Sequence, residues 1–351
     1  MDKVYRVGVV GCGGMGNAHA RWFTASPRCQ LVAGADINPE ALAKFAQAWG
    51  AKPYADYGAM FADERLDIVC VSTWQSVRAE VTVVAAESGV PMIFGEKPMA
   101  ASLGGADDML AACERSGSKL VVGHQRRFDA RNSEARRLIQ EGAIGTPRAV
   151  LARDGLGLLN RGTHEFDETL YLLGDPRPLW VIGQCSRKTD KWERRVRCED
   201  LCMALVACEN GERITYESDM PGPGIERWTV YGSDGLLKRG PDSSLLLLNS
   251  KQGGWQQILP RVREVHQFDE MIAWLDGSIA THRNHGVRAR VTMELMMALY
   301  ESARLRDVVQ LPLRTRANPL DLMVEDGQLP VQVPGRYDIR APFPEEGSSL
   351  Q

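Results

Sequence analysis

A glycine-rich loop between a predicted strand and a predicted helix constrains this chain more than any other feature. The stretch GCGGMG places Gly11, Gly13 and Gly16 in the spacing GxGxxG, directly after the apolar run YRVGVV. In such a loop the first glycine permits a tight turn, the second lets a pyrophosphate approach the backbone, and the third lets the helix pack on the strand. The helix N-terminus then offers free N–H groups to the phosphates. The loop predicts a dinucleotide site.

Short β-branched runs alternate with helical patterns from residue 4 to about residue 123. The runs are YRVGVV, LVAGAD, DIVCVST, PMIFGE and KLVVGH. Such alternation implies right-handed crossovers, which place helices on both faces of a parallel sheet. We therefore expect an α/β fold with a doubly wound, dinucleotide-binding Rossmann domain over residues 1–123.

The pattern changes after Gly123, where strand-like runs separated by Gly and Pro predominate. ENGE and GSDG are hairpin signals, so these runs favour an antiparallel sheet. Helical patterns cover about 130–141, 163–173 and 285–306. We expect an α+β domain over residues 124–310 and an irregular tail over residues 311–351, which carries six prolines.

Charge and cysteine usage exclude several classes of function. The formal net charge of -3, with both signs interspersed, offers no basic surface for nucleic acid or membranes. The chain has no run of 18 apolar residues and no signal-peptide pattern, so we expect a cytoplasmic protein. Several of the eight cysteines stand in apolar runs and are expected to be reduced thiols. Cys198, Cys202 and Cys208 lack the CxxC spacing and the nearby histidine of zinc sites, so no metal is predicted.

Asp36 stands at the end of the second predicted strand, twenty residues after Gly16. An acid at this point accepts hydrogen bonds from the ribose hydroxyls of a dinucleotide and repels a 2′-phosphate. Asn38, directly before Pro39, is the better N-cap for the following helix, which leaves Asp36 for the ribose. We expect NAD as the cofactor, with NADP the less favoured alternative.

Lys97 follows the apolar run PMIF within the stretch FGEKP. Ligands of open α/β sheets bind outside the carboxyl ends of the strands, and Pro98 ends the strand there. Lys97 is therefore expected to face the cofactor cleft, where a neighbouring cation and partial burial suit a lysine to proton transfer. The alternative is a solvated lysine paired with Glu96.

A second constellation lies in NRGTHEFDETLYLLGDP, residues 160–176. In a helix that begins near residue 163, His164, Asp167 and Tyr171 share one face. Asp167 is placed to orient an imidazole. The alternative is a solvated face with an incidental histidine. The opposite, apolar face carries Phe166, Leu170 and Leu173.

With GCGGMG, GEKPMA, GHQRRFD, EGAIGTP and GTHEFDETLYLLG in this order, the chain resembles the Gfo/Idh/MocA family of oxidoreductases over residues 4 to about 313. The resemblance implies a Rossmann domain, followed by a domain whose large open antiparallel sheet often forms an oligomer interface. It also implies NAD(P)-dependent oxidation of a sugar, glycoside or cyclitol hydroxyl, or the reverse reduction, in a homodimer or homotetramer. The catalytic residues that it implies are Lys97 and His164.

The resemblance and the strand ends together define the predicted contacts. The predicted substrate contacts are Lys97, Gln125, Arg127, Asn160 and His164, and the predicted orienting residue is Asp167. The predicted cofactor contacts are Gly11, Cys12, Gly13, Gly14, Met15, Gly16, Asp36, Ile37, Ser72, Thr73, Trp74, Gln75, Glu96 and Lys97.

Two positions depart from the family pattern. Asn160 stands where inositol dehydrogenase-like members carry Asp, and an amide binds a hydroxyl but does not relay a proton. Arg78 stands in STWQSVRAE, where members often have His after TPN. We expect Arg78 to face solvent, with recognition of an anionic substrate as the alternative.

Three functions remain open from the sequence. The first is a dehydrogenase, in which Lys97 or His164 accepts the proton of the substrate hydroxyl. The second is a glycosidase, in which bound NAD transiently oxidises a sugar before elimination. The third is a non-enzymatic NAD-binding sensor or scaffold, because a fold alone does not specify a function.

Overall fold

The computed structural model describes residues 3–154, 157–218, 227–240, 242–251, 253–262 and 264–338. Parts of the predicted second domain and the end of the predicted tail lie outside these ranges. The chain divides into two compact units. The first comprises Met1–Ala100, Gly104–Gly123 and Phe268–Arg290, and the second comprises Ala101–Leu103, His124–Gln267 and Val291–Gln351.

The regular elements are numbered here in chain order. The strands are β1 (Tyr5–Val10), β2 (Cys29–Ala35), β3 (Lys52–Tyr54), β4 (Ile68–Val71), β5 (Met92–Gly95), β6 (Lys119–Val122), β7 (Pro147–Arg153), β8 (Pro178–Ser186), β9 (Thr189–Glu193), β10 (Val196–Arg197), β11 (Leu201–Cys208), β12 (Arg213–Glu217), β13 (Trp228–Gly232), β14 (Gly235–Arg239), β15 (Leu245–Asn249), β16 (Gln256–Ile258), β17 (Val309–Gln310) and β18 (Val333–Asp338). The α-helices are α1 (Gly14–Ala25), α2 (Pro39–Trp49), α3 (Tyr57–Asp63), α4 (Gln75–Glu87), α5 (Leu103–Ser116), α6 (Ala130–Gln140), α7 (Thr163–Leu173), α8 (Gln267–Leu275), α9 (Gly286–Leu305) and α10 (Pro319–Glu325).

The first unit contains a parallel sheet in the order β3-β2-β1-β4-β5-β6. The predicted doubly wound Rossmann fold is confirmed. The central strands β4 and β5 are buried throughout, as expected of strands covered on both faces. The strand β3 and the helix α3 were not predicted from the sequence.

Residues 268–290 pack with the first unit, although the expected second domain included them. The ring of Phe268 lies 4.7 Å from the ring centroids of both Phe23 and Phe94. Met271, Ile272 and Trp274 join the same hydrophobic core. The segment therefore completes the core of the first unit, and the expected boundaries need this correction.

The second unit contains a nine-stranded sheet in the order β16-β15-β14-β13-β7-β12-β11-β8-β17. The predicted hairpins β11–β12 and β13–β14 are antiparallel. One pair, β7–β12, is parallel, so the sheet is mixed and not wholly antiparallel. A long crossover that includes α7 separates these two strands in sequence, which is the connection that parallel pairing requires.

The expected irregular tail contains regular structure within its described part. Helix α10 begins at Pro319, and the side chain of Asn318 caps it by accepting the Leu320 N–H at 3.0 Å. Strand β18 pairs in parallel with β9 in a small sheet of order β10-β9-β18. Pro319 therefore marks the start of a helix, and the prediction of an irregular segment was wrong for this part.

Helix α7 is buried on all sides, including its acidic residues. Arg126 donates to Glu165 and, at 2.8 Å, to Glu168, whose other oxygen accepts the Trp228 indole N–H at 2.8 Å. Burial raises the pKa of Glu165 to about 8, against the opposing charge of Arg126. Two carboxyl groups that share one guanidinium away from water thus retain a proton near neutral pH.

We predict that Phe268→Ala destabilises the first unit by about 3–5 kcal/mol, because it leaves a cavity among aromatic rings. Urea unfolding followed by tryptophan fluorescence, to which Trp22 beside Phe268 contributes, measures this change. The exposed Leu259 provides the control, since Leu259→Ala is expected to change stability by less than about 0.5 kcal/mol. A Phe268→Ala chain as stable as the control would show that residues 268–290 do not contribute to this core.

We predict that Glu165→Gln removes a pH dependence of stability. A carboxyl pKa of about 8 in the folded state lies above the unfolded value, so this group stabilises the fold at low pH. That contribution declines as pH rises between about 4.5 and 8, by about 5 kcal/mol in total, since each pKa unit corresponds to about 1.4 kcal/mol. Urea unfolding at pH 5, 6.5 and 8 measures the slope.

The exposed Glu40 provides the matched control, and Glu40→Gln is expected to keep the slope of the unaltered chain. An unchanged slope in Glu165→Gln would show that Glu165 is ionised throughout this range.

Candidate functional sites

The glycine loop has the geometry that a dinucleotide requires. Gly11 has a φ of +92°, and a Cβ atom built on it would lie 2.8 Å from the carbonyl carbon of Ser72. A Cβ atom on Gly16 would lie 2.0 Å from the carbonyl oxygen of Gly11. On Gly13, in contrast, a Cβ atom would meet no described atom within 4 Å. The first and third glycines are therefore required by packing, whereas the second borders open space.

Helix α1 begins at Gly14 with Gly13 as its N-cap, and no described side chain caps it. Its first N–H groups and the positive end of its dipole are therefore available to an anion. A cleft of about 350 Å³ beside the loop is lined by Cys12, Gly13 and Asn38, among others. These features fit the pyrophosphate of a dinucleotide.

Asp36 is held against the glycine loop by backbone hydrogen bonds. Its carboxylate accepts the Cys12 N–H at 2.7 Å and the Asn38 N–H at 2.8 Å. The side chain of Asn38 caps α2 by accepting the N–H groups of Glu40 and Ala41, as predicted. Each oxygen of Asp36 keeps a further lone pair for a hydroxyl donor. The carboxylate is thus fixed against the glycine loop with acceptor capacity to spare.

Three apolar side chains in the predicted cofactor set are unusually exposed. Met15, Ile37 and Trp74 are 46%, 89% and 41% exposed. They lie in the first turn of α1, just after β2, and at the N-cap of α4. Large exposed apolar side chains near one edge of a sheet are typical of a ligand site. Flat rings such as adenine and nicotinamide fit such side chains.

The predicted catalytic lysine follows β5 beside a buried acid. Glu96 lies 2.6 Å from Nε2 of His19 through one oxygen, and its other oxygen accepts the Lys97 N–H at 3.2 Å. Burial alone would raise the pKa of Glu96. The hydrogen bond with His19 and the charges of His19, Arg78 and Lys97 outweigh burial and hold this pKa below its usual value. Glu96 is therefore a buried anion that holds the backbone of Lys97.

His19 was not identified from the sequence, although a signal was present. It lies on the buried face of α1 with Gly16, Ala20 and Phe23. Its ring contacts the rings of Phe94 and Phe268 at 5.0 and 5.3 Å. A histidine on the apolar face of a helix needs a buried polar partner, which here is Glu96.

Arg78 does not face solvent, and that expectation was wrong. The side chain is 2% exposed, and its guanidinium donates to the carbonyl oxygens of Thr73 and Pro98. The position shares the buried face of α4 with Val81, Thr82 and Ala85, so helical periodicity would have placed it inward.

In the second unit, Asn160 and His164 lie on one continuous helical run. A π-helix over Leu158–Gly162 leads directly into α7. Both side chains are buried, and their spacing of four residues places them on the same side of the run. Single turns of π-helix often occur at functional sites. The start of the run is anchored by Glu199, which accepts the Leu158 N–H at 2.6 Å.

His124 was not placed in the predicted site, yet it lies beside His164. The two ring centroids are 6.0 Å apart in an edge-to-face arrangement. Nε2 of His124 lies 3.0 Å from the Thr163 hydroxyl, and its Nδ1 lies 3.4 Å from the Asp167 carboxylate. A histidine that directly follows a strand of a doubly wound sheet was the available signal.

Asp167 forms a buried ion pair with Arg127. Nε of Arg127 donates to Asp167 at 2.8 Å, and Nη1 donates to Asp175 at 2.7 Å. Burial raises the pKa of Asp167, but the charges of Arg127 and His124 outweigh burial and lower it. Arg127 is buried, whereas Gln125 is exposed. This environment argues against direct substrate binding by Arg127 and favours a structural role.

All eight cysteines are buried and free of disulfides. Burial raises the pKa of Cys12 to about 12, so this thiol beside the glycine loop is not a nucleophile near neutral pH. No cluster of three or more His, Cys, Asp or Glu side chains that could bind a metal occurs in the described ranges. None of the described helices is long and apolar enough to span a membrane.

Known proteins resemble this chain in both sequence and fold. Residues 5–124 match an oxidoreductase family described by its NAD-binding Rossmann fold. D-apiose dehydrogenase of Paraburkholderia graminis is 28% identical over 227 residues, a match that spans 60% of this chain and 59% of that enzyme. Inositol 2-dehydrogenase 2 of Saccharopolyspora erythraea is 30% identical over 290 residues, spanning 77% of this chain and 84% of that enzyme.

Among solved structures, the WlbA dehydrogenase of Bordetella pertussis, in complex with NADH and UDP-GlcNAcA, has a similar fold. The two structures superpose with a TM-score of 0.75 at 23% sequence identity. The superposition covers 89% of this chain and 100% of the WlbA chain. The matched Rossmann region and the long alignment with inositol 2-dehydrogenase 2 place the chain in the Gfo/Idh/MocA family of NAD-binding oxidoreductases.

Proposed function

We propose that this protein is an NAD-dependent oxidoreductase that transfers a hydride between nicotinamide and a secondary hydroxyl or ketone of a sugar, glycoside or cyclitol. The main observation in its support is the glycine loop, which borders open space at Gly13. The Asp36 carboxylate lies beside this loop and accepts the Cys12 N–H. The polyhydroxylated substrates in the names of D-apiose and inositol dehydrogenases support the substrate class.

The position of Asp36 supports NAD over NADP. Its two oxygens are held by the N–H groups of Cys12 and Asn38, so the carboxylate cannot easily turn away from the ribose. A ribose 2′-hydroxyl donates to such an acid, whereas a 2′-phosphate would place two anions together. The acid therefore discriminates by charge as well as by hydrogen bonding.

The proposed catalytic residues are Lys97 and His164. When bound, NAD supplies the hydride acceptor of the reaction. Lys97 would bind the reacting hydroxyl near the end of β5, and Asn160 would hold a hydroxyl through its amide. Since an amide does not relay a proton, either the Lys97 amine or the His164 imidazole would accept the hydroxyl proton. Asp167 is proposed to orient an imidazole, and its observed neighbour is His124.

The outer face of the nine-stranded sheet is the proposed surface for self-association. Ile182, Met203 and Tyr231 expose large apolar side chains from β8, β11 and β13. Burial of such a face would favour a homodimer or homotetramer. The unbridged thiols fit a reducing compartment, and we propose the cytoplasm.

We predict that Lys97→Met and His164→Asn each lower kcat by about 10²–10⁴-fold while NAD still binds, because each variant removes a group that binds or deprotonates the hydroxyl. The assay is a panel of polyols and glycosides with added NAD, read for both NADH and released aglycone. Lys52→Met and His266→Asn alter exposed residues of the same types and serve as controls with unchanged kcat.

The same panel separates the candidate functions. Accumulating NADH supports the dehydrogenase, and aglycone release without NADH supports the redox-assisted glycosidase. NAD binding with neither product across the panel supports a sensor. Full turnover in both Lys97→Met and His164→Asn would refute the catalytic assignment.

We predict that Asp36→Ala shifts the cofactor preference toward NADP by about tenfold or more, or about 1.4 kcal/mol, because the repelling carboxylate is lost. Titration of the chain with NADH and NADPH, followed by nucleotide fluorescence, gives both Kd values. Glu40→Ala removes an exposed acid from the adjacent helix and should leave the ratio unchanged. An unchanged ratio in Asp36→Ala would remove Asp36 from the ribose site.

A further inference from the structure

We propose that Arg78 is a positioning residue that ties together the loops after β4 and β5, and thereby sets both the affinity for NAD and the placement of Lys97. The inference rests on the proposed function, which it extends to a residue outside the predicted site. Arg78 lies in the first unit together with both loops, so the argument concerns that unit alone.

The guanidinium joins two segments of backbone at the carboxyl edge of the sheet. Nη1 donates to the carbonyl oxygen of Pro98, and Nη2 donates to that of Thr73. Thr73 lies against the glycine loop, since a Cβ atom on Gly11 would be 3.0 Å from its backbone nitrogen. Pro98 follows Lys97 directly. One side chain therefore connects a cofactor-bordering loop to the predicted catalytic lysine.

The chemistry of this contact favours arginine over other cations. A guanidinium is planar and presents several N–H donors in a rigid fork, so it can serve two carbonyl groups at once. An ammonium is a compact point charge on a flexible stem and would not hold both loops in the same way. The Cδ atom of Arg78 also lies near β5, 3.8 Å from a Cβ atom built on Gly95.

The buried positive charge is balanced by a buried acid. Arg78 is 2% exposed, and a buried cation is tolerated only with a partner charge and hydrogen bonds. Glu96 supplies the opposite charge, and Arg78 is one of the cations that lower the pKa of this carboxyl. Glu96 also accepts the Lys97 N–H. Arg78 thus acts on Lys97 through the two residues that flank the lysine. It donates a hydrogen bond to the Pro98 carbonyl, and its charge stabilises the Glu96 carboxylate.

Such a role predicts a defect in function that exceeds any loss of stability. Small displacements of catalytic groups lower rates strongly, by up to about 10²-fold for 1 Å. A residue that only fills the core would lower the melting temperature without a selective effect on NAD binding or kcat. The KM of the polyol should change less than kcat, because Arg78 affects only Lys97 among the five predicted substrate contacts.

The test compares Arg78→Lys and Arg78→Met with a matched pair of control variants. Arg187 is also buried and donates to two carbonyl oxygens, those of Cys198 at 3.1 Å and Lys191 at 3.5 Å. Arg187→Lys and Arg187→Met therefore remove a comparable buried guanidinium from the second unit. The measurements are the NAD Kd by quenching of tryptophan fluorescence, the kcat and KM with an active polyol, and the melting temperature.

We expect Arg78→Lys to fold, to bind NAD about tenfold more weakly and to lose at least about tenfold in kcat, with the polyol KM within about twofold. Arg187→Lys should lower the melting temperature and leave the NAD Kd and kcat within about twofold. If Arg78→Met does not fold, a folded Arg78→Ala chain is used in its place. Added guanidinium is then expected to restore part of the NAD affinity of Arg78→Ala.

Two failures are distinguishable. A folded Arg78→Lys chain with unchanged NAD Kd and kcat would overturn the role of Arg78 while the proposed function stands. An unaltered chain that does not bind NAD would overturn the proposed function, and the proposed effect of Arg78 on NAD affinity would fall with it.

Discussion

The close approach of Gly16 to Gly11 is the constraint on which the nucleotide-binding half of the structure depends. A Cβ atom at Gly16 would lie 2.0 Å from the Gly11 carbonyl oxygen, so any side chain would push α1 off the sheet. With the helix seated, its N-terminus opens toward the cleft at Gly13. His19, three residues after Gly16 and on the same face, then reaches Glu96 at 2.6 Å. The absence of a side chain at Gly16 thus aligns both the glycine loop and Glu96, which accepts the Lys97 N–H.

In the second unit, buried ion pairs fix the position of helix α7. Helix α7 carries Glu165, Asp167 and Glu168 into the interior, where water cannot solvate them. Arg126 and Arg127 pair with these acids. In most other registers of the helix, a charged group would therefore lose its partner. Loss of one partner of a buried pair commonly costs about 3–5 kcal/mol. The location of His164 therefore follows from ion pairs made by its neighbours in sequence.

Sequence patterns predicted those elements whose signal is local. The long strands of the first unit and helix α7 follow from hydrophobic runs and periodicity. Strand β3, with the sequence KPY, has too few residues and too little apolar character to be recognised. Helix α8 has helical spacing at Phe268, Met271 and Ile272, but its membership of the first unit depends on contacts with residues far away in sequence. Such contacts have no local signature.

The same limit explains how the predicted side-chain environments compare with the structure. Motif spacing identified Asp36, whose carboxylate indeed lies against the glycine loop, because the motif itself sets the backbone there. The expectation for Arg78 was wrong, because the usual exposure of arginine takes no account of the buried face of α4 on which this residue lies. The strand end and the family resemblance placed Arg127 among the predicted substrate contacts, and the structure shows its side chain bound to Asp167 and Asp175.

The structure also shows how the backbone of the tripeptide Glu96-Lys97-Pro98 is held by hydrogen bonds. Glu96 is a buried anion that holds the Lys97 N–H and pairs with His19. Pro98 has no N–H of its own, and its carbonyl group accepts a hydrogen bond from Arg78. The backbone on both sides of Lys97 is thus held, on one side by Glu96, which is itself fixed by His19, and on the other by Arg78. A half-buried lysine whose backbone is held on both sides loses less conformational freedom when its side chain binds a ligand, which is the condition for precise placement of a reacting hydroxyl.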